Sequence, residues 1–352
     1  MGYFIAMTNR SALVQIDQEA QAGLRPRHAM AQLATALSAE ILRPGENDGS
    51  RLDWLLARLA GTAPTWALAR RMRRRLRPGD VVFCADEAVG IPLAALCGGK
   101  GVKIMLLGHN LARPRAKAAF RLLSIPRKVD LFMTVSRKQA QYLHGAFGLP
   151  QDRILALSDQ TDIRFFTPGA APAKPRPIIA SVGLEKRDYQ TLAAATADLA
   201  VDVRISGFSA DAKVIATTFP AVMPANMTRA FYSWTDLRDL YRSADVVVVS
   251  LFPNTYAAGI QGLLEAVACG TPVVVTRTEG LAEYLDRPDL ITAIDMGDPI
   301  AMRSALAAKL ADPAAARRQA DAARAHFLPQ IDSDAYVASI ATAMRTLARS
   351  TR

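Results

Sequence analysis

Two kinds of hydrophobic pattern alternate along the chain. Short apolar runs rich in β-branched residues are separated by segments whose apolar residues recur at helical spacing. In the first half the strand-like runs are "YFIAM", "AEILRP", "DVVFCAD", "VKIMLLGH", "LFMTVS" and "ILALS". Between them the periodicity predicts helices over 27–38, 51–77 in two pieces, 88–97, 112–123 and 137–146, with Pro26 suited to a first-turn position. "FFTPGAAPAKPRP" at 165–177 breaks the pattern with Pro, Gly and Ala and reads as a linker. The alternation restarts with "PIIASVG", a helix over 189–199, "VDVRISG", a helix over 235–243, "ADVVVVSLF", a helix over about 258–269 and "PVVV", and helices dominate from 300 onward. Strand–helix alternation of this kind predicts α/β architecture with parallel sheets: two Rossmann-like domains facing each other across a cleft. The expected division is 1–168, 169–330, and a C-terminal helix over 331–352 packing back on the N-terminal domain.

At 352 residues the chain exceeds one ordinary core, which agrees with two domains. No run of 18 apolar residues occurs, so no membrane-spanning helix is expected. "MGYFIAMTNR" lacks the basic and long apolar regions of a signal peptide, and Ala6 stands where myristoylation requires Ser or Thr. Cys84, Cys97 and Cys269 are scattered, with no CxxC and no Cys/His cluster, so each reads as a small buried hydrophobe in a reducing compartment. Charge changes the picture more. The net +11 lies wholly before residue 171, where 24 Lys and Arg face 13 Asp and Glu; the remainder holds 19 of each. The two domains therefore have different partners.

Chemistry concentrates at the helix over 258–269. Ala257, Ala258 and Gly259 open it with small residues, so a ligand can approach the free N–H groups of residues 258–260, where the macrodipole favours an anion such as a diphosphate. Glu265 follows Gly259 by six residues, about 9 Å along the axis at about 1.5 Å per residue. That spacing suits a ribose attached to the same diphosphate, and it equally suits an exposed helix glutamate. "GLLEAVACGTPVVVTRTEGLAEYL", with "SADVVVVSLFPN" before it and "SVGLEKRDYQTLAAA" at 181–195, resembles the donor-binding region of the glycosyltransferase family 4 group, enzymes of the GT-B fold. The resemblance covers 171–290 well and the first half loosely. It implies a retaining, metal-independent hexosyltransferase with the nucleotide sugar on the C-terminal domain and a hydroxyl acceptor on the N-terminal one. No cofactor is expected besides the nucleotide-diphosphate sugar, which is a substrate.

The resemblance assigns Glu265 to the nucleotide ribose and Gly259, Ala258, Ile260 and Gly183 to the donor. Arg187, with Lys186 second, faces the departing diphosphate, and His109 lies near the donor sugar. Read from the residues alone, Lys186 and Arg187 are an exposed turn, and His109, at a C-terminal strand end facing the expected cleft, is equally a site group or a structural histidine. Arg277 faces phosphate or pairs with a neighbouring acid. Asp86 and Glu87, at the end of "VVFCADE", are acceptor-side candidates, and the choice of a general base among Asp86, Glu87 and His109 stays open. Gly23 in "AGLRPR", the nearest substitute for the Gly-rich turn that the first strand lacks, is a further acceptor-side candidate. Asp332-Ser-Asp334 is read as a helix start, and no metal site is assigned. The sequence departs from the family at Ala257, where an earlier Glu of an E-x7-E pattern contacts the donor sugar. A catalytically degenerate nucleotide-sugar-binding protein is the alternative this leaves.

The basic excess falls in "ARRMRRRLRPGD" and "ARPRAKAAFRLLSIPRK". Neither interleaves stacking aromatics or carries a nucleic-acid motif, which argues against nucleic acid as a partner. A basic, amphipathic surface suits anionic lipid headgroups, with Phe120, Leu122 and Leu123 as apolar partners, and equally describes a solvated face. The expected location is cytoplasmic, peripheral on the inner face of the plasma membrane, with a lipid-linked acceptor.

Overall fold

A computed structural model describes residues 1–8, 12–46, 48–170, 172–208 and 214–350; Ala171 of the expected linker lies outside them. The chain forms two units: Met1–Asp17, His28–Ser158 and Tyr336–Arg352 make the first, Gln18–Arg27 and Asp159–Ala335 the second. The first unit's strands are β1 (Tyr3–Ala6), β2 (Glu40–Leu42), β3 (Val81–Cys84), β4 (Lys103–Gly108), β5 (Leu131–Thr134) and β6 (Ile154–Ala156). They form one parallel sheet in the order β2-β1-β3-β4-β5-β6. Its helices are α1 (Leu13–Gln21), whose second half groups with the other unit, α2 (Ala29–Leu37), α3 (Arg51–Leu56), α4 (Ala63–Arg75), α5 (Glu87–Cys97), α6 (Pro114–Leu122), α7 (Ile125–Lys128) and α8 (Arg137–Phe147).

The second unit repeats the plan with β7 (Ile178–Val182), β8 (Asp202–Ser206), β9 (Met227–Arg229), β10 (Val246–Val249), β11 (Val273–Thr276) and β12 (Thr292–Ile294), parallel throughout in the order β12-β11-β10-β7-β8-β9. Helices α9 (Tyr189–Thr196), α10 (Trp234–Ser243), α11 (Ile260–Ala268), α12 (Pro299–Ala311) and α13 (Pro313–Ile331) accompany it. Helix α14 (Ser333–Arg349) follows, and from Tyr336 on it belongs to the first unit, where Val337, Ile340 and Met344 share a core with Ile5, Val81 and Met105.

Central strands are apolar on both faces because helices cover both faces of a parallel sheet. Val246–Val249 and Val273–Val275 are buried at every position, and their side chains divide between two cores. The three cysteines are free and buried, and burial pushes the Cys97 thiol up to about 11 and that of Cys269 to about 12. No helix among the described residues is long and apolar enough to cross a membrane.

Two placements differ from the sequence expectation. Phe165 and Phe166, at the front of the expected linker, are buried in the second unit's core and meet edge to face at 5.0 Å between ring centroids. The division accordingly falls at Ser158/Asp159, ahead of the Pro-rich stretch. Gly23 takes a left-handed φ of 71° in the turn after α1, a turn that clusters with the second unit and not with the first.

An ionic knot fastens that turn. The Arg27 guanidinium donates to Asp162 Oδ1 at 2.6 Å and to Asp334 Oδ1 at 2.7 Å, and the Arg27 N–H reaches Asp162 Oδ2 at 2.8 Å. Burial alone would raise the Asp162 carboxyl; the bonds from Arg27 hold it below its ordinary value instead. A carboxyl depressed on folding stabilises above its unfolded pKa and loses that contribution as pH falls through the folded one. Asp162→Asn is therefore expected to cost about 3 kcal/mol in urea unfolding at neutral pH. The deficit should shrink in acid, and an equal deficit at both pH values would reject this linkage.

Candidate functional site

The C-terminal ends of β7 and β10 are adjacent in the second sheet, and the segments leaving them are bonded together. Arg187 and Leu251 form an antiparallel bridge, the Phe252 N–H donates to the Lys186 carbonyl at 2.8 Å, and the Asp188 N–H donates to that of Ser250 at 3.1 Å. Asp188 also caps α9 through Thr191. The turn 183–188 is thus held at both ends. Lys186 pays for the tight reversal with a left-handed φ of 55° and stays exposed, while Arg187 folds inward and is 3% exposed.

Two glycines make room for the Arg187 guanidinium, and a third lies in ordinary contact with it. A Cβ at Gly183 would lie 2.7 Å from Nη2, one at Gly259 3.0 Å from Nη1, and one at Gly262 3.5 Å from Nη2. Gly183 and Gly259 also need glycine's freedom, with φ of 100° and 87°. Nε donates to the Val182 carbonyl at 2.8 Å and Nη1 to that of Glu185 at 3.2 Å. Among the described residues no carboxylate lies within ion-pair distance of this cation, and burial pulls its pKa down despite Tyr189, Tyr241 and Glu265 nearby.

One of these glycines opens α11. Gly259 is its N-cap, and no side chain caps the helix. The Ala258 N–H is committed to the Tyr256 carbonyl at 2.7 Å and that of Ile260 to Ala257 at 3.3 Å, while the Gly259 N–H is unpaired among the described residues. A positive helix end and a buried cation therefore converge, an arrangement that an anion would stabilise.

Glu265 lies one turn and a half further along α11, fully packed. Tyr241 Oη donates to Glu265 Oε2 at 2.7 Å. Burial lifts the Glu265 carboxyl to about 7, against the opposing pull of the Tyr241 bond and the Arg187 charge. It is neither the exposed helix glutamate of one reading nor a carboxylate with both oxygens open, because Tyr241 already holds one. Tyr241 was legible only as an apolar-face residue of α10, beside Leu237 and Leu240.

Other nearby groups carried no sequence signal. Tyr256 Oη donates to Glu185 Oε1 across the two loops. Gly280 approaches so closely that a Cβ there would sit 1.8 Å from the Tyr256 carbonyl oxygen. Asn254 Oδ1 and Thr278 Oγ1 are buried without a hydrogen-bond partner among the described residues. Arg277, exposed at the end of β11, lies 3.7 Å from Asp295 Oδ1, so the neighbouring-acid alternative describes its position.

The first unit's candidates form a separate group. Asp86 caps α5 through the Val89 N–H at 2.9 Å and accepts from the Thr8 hydroxyl at 2.8 Å, so both its oxygens serve the fold. Glu87 accepts from the Asn110 N–H at 2.9 Å and stands 3.4 Å from His109 Nδ1. Burial would raise the Glu87 carboxyl, but His109 and the loop amides hold it at about 2. Glu87 therefore anchors the 109–110 loop as an anion, and half-exposed His109 is the group it presents. Gly23 belongs to the other unit. Asp332 and Asp334 flank the start of α14, and no group of three or more metal-ligating side chains occurs among the described residues.

Residues 225–312 match the model of "Glycosyl transferases group 1". No curated protein matches the chain significantly in sequence. Among solved structures, the fold is similar to sucrose-phosphate synthase of Thermosynechococcus elongatus, with TM-score 0.73, 16% identity and 99% of each chain covered. It is also similar to α,α-trehalose 6-phosphate synthase of Burkholderia multivorans, with TM-score 0.72, 13% identity and 99% of each chain covered. HepE of Anabaena in complex with UDP-glucose gives TM-score 0.69 at 12% identity, covering 98% of this chain and 100% of that one. The architecture is that of GT-B glycosyltransferases, and the resemblance read from the sequence is borne out.

Glu265 supplies a test of the buried cluster. A carboxyl raised from 4.5 to about 7 on folding binds its proton more tightly in the folded state. Its contribution to stability is complete below the unfolded pKa and is lost as pH rises through the folded one. Melting temperatures of Glu265→Gln should therefore depend less on pH than wild type between 4.5 and 7. Identical slopes would remove Glu265 as the titrating group.

Proposed function

We propose that this group 1 glycosyltransferase moves a sugar from a nucleotide-diphosphate sugar to a hydroxyl acceptor, without a metal and with retention of the donor's anomeric configuration. One observation carries the reading: the buried Arg187 guanidinium, lacking a carboxylate partner among the described residues, set against the glycine-built start of α11. Departure of a nucleoside diphosphate concentrates negative charge on its bridging oxygen. A fixed guanidinium, the Gly259 N–H and the exposed Lys186 ammonium are the groups available to neutralise it, the task a divalent metal performs in other transferases.

Glu265, held by Tyr241, is the acceptor for a ribose hydroxyl, and the Tyr241 bond fixes its orientation. HepE, similar in fold, is described in complex with UDP and with UDP-glucose, which supports a nucleotide-sugar donor here. The family resemblance assigns His109, held by anionic Glu87, to the transferred sugar. The acceptor is a hydroxyl compound held at an anionic membrane surface on the cytoplasmic side, a reading supported by the basic excess confined to residues before 171. Retention rests on the family resemblance. A second reading, a nucleotide-sugar-binding protein without turnover, is favoured by Ala257 in place of the family's Glu.

A thermal-shift panel of nucleoside diphosphates and their sugar conjugates identifies the donor, and product formation then separates the two readings. Arg187→Ala is expected to lower kcat by about 10²–10³. Its binding of the bare nucleoside should change little, and activity should survive a chelator. Loss of activity in chelator with recovery on Mg²⁺ or Mn²⁺ would overturn metal independence. An anomeric coupling constant in the product opposite to the donor's would overturn retention. Glu265→Ala should weaken nucleotide binding about tenfold, a loss of one charge-assisted hydrogen bond, read by calorimetry.

A further inference from the structure

Helix α3 is built inside out. Its one carboxylate, Asp53, is fully buried, while Leu52, Trp54 and Leu55 are 56%, 67% and 57% exposed. This arrangement is firmly held. Ser50 N–H and Oγ donate to Asp53 Oδ2 at 2.7 and 2.9 Å, completing a capping box, and Arg70 Nε donates to Oδ1 at 2.9 Å. Arg115, in the first turn of α6, donates through Nε to the Leu59 carbonyl at 3.2 Å and also bonds that of Ala57, fastening the chain that leaves α3. The exposed apolar trio is therefore presented on a braced helix.

Its surroundings are cationic. Arg51 and Arg58 flank the trio, both exposed, and among the described residues neither has an acid within ion-pair distance. Helix α6, tied to the exit of α3 through Arg115, carries exposed Arg121 and, at its end, exposed Leu122. Phe120, an expected apolar partner of this surface, is instead fully buried against Phe132 and Phe147, and Leu123 is half-buried. The apolar contribution thus comes from α3, a helix that the charge pattern did not single out.

We propose that α3 is the element by which the first unit enters the interfacial layer of a bilayer containing anionic lipid. Trp54, Leu52 and Leu55 reach the acyl boundary while Arg51 and Arg58 stay at headgroup level. An indole ring with an apolar body and one N–H suits that boundary. Arginines beside it gain from the negative surface potential, and the helix's own acid is neutralised inside, so none of its charge opposes approach. A protein partner fits less well, because three side chains fall far short of the about 800 Å² per partner that a stable interface buries. The choice of an anionic surface rests on the acceptor reading above, but the readout is vesicle binding and not sugar transfer, so the two can fail separately.

The test is co-sedimentation of the full chain with phosphatidylcholine vesicles, with and without one third phosphatidylglycerol, at low and moderate salt. Wild type should pellet with the anionic vesicles, less so as salt rises, with a blue shift in tryptophan emission that Trp54→Phe removes. Trp54→Ser combined with Leu55→Ser should weaken binding about tenfold with an unchanged melting temperature, since the positions are exposed. Arg51→Glu with Arg58→Glu should abolish the preference for phosphatidylglycerol. Equal pelleting of wild type and the Trp54/Leu55 variant would overturn the proposal. So would a dimer of wild type, seen by light scattering without vesicles, that the same variant dissolves, because the face would then be a self-association surface.

Discussion

The second unit is organised around one constraint: a guanidinium taken out of water without a counter-carboxylate. Burying a cation is costly unless its donors are used and its surroundings are polar. Arg187 meets that requirement with main-chain carbonyls of its own turn and with the close approach of two glycines. Every neighbouring feature follows. Gly183 and Gly259 must be glycine for both φ and space, the turn must be bonded to the exit of β10, and α11 must begin without a side-chain cap. A larger residue at any of these points would displace the cation or the helix.

Parallel sheets place this arrangement where it is. Strands paired in one direction release all their loops at one edge, and helix starts carrying positive partial charge collect there. Side chains cap several of them: Asp86 at α5, Ser136 at α8, Asp188 at α9 and Asp298 at α12. Helix α11 is left without such a cap. Helix α6 lacks a side-chain cap as well, but at α11 the uncapped start lies against the buried Arg187 guanidinium.

Much of the fold was legible because both-face burial leaves a strong signal. Val246–Val249 and Val273–Val275 have no solvent side, and their runs stand out against any flanking sequence. The edge strands of the second sheet left none: β9, "MTR", and β12, "TAI", are three residues each, and α1 and α7 lack a sustained apolar stripe. At the site, Gly259 and Glu265 were legible from spacing and resemblance. Their true environment was not, because it depends on Tyr241 arriving from α10 and on Arg187 folding inward instead of outward like Lys186. Two adjacent basic residues look alike in a sequence; only a left-handed turn at the first sends the second into the interior. The expected linker failed for a related reason: Pro and Gly mark a break in pattern, but Phe165 and Phe166 were free to pack before it.

The contact of Gly280 with Tyr256 has a mechanical meaning. With no side chain between them, the turn Glu279–Tyr284 rests directly on the main chain of the loop ahead of α11. At the other end of that turn, Tyr284 Oη accepts the N–H of Asp159 at 3.1 Å, the residue at which the second unit resumes after the first. Backbone resting on backbone has almost no slack, unlike two side chains that can change rotamer. A shift of the loop at 254–256 would therefore be passed, nearly undiminished, through a rigid six-residue strut to the joint of the chain.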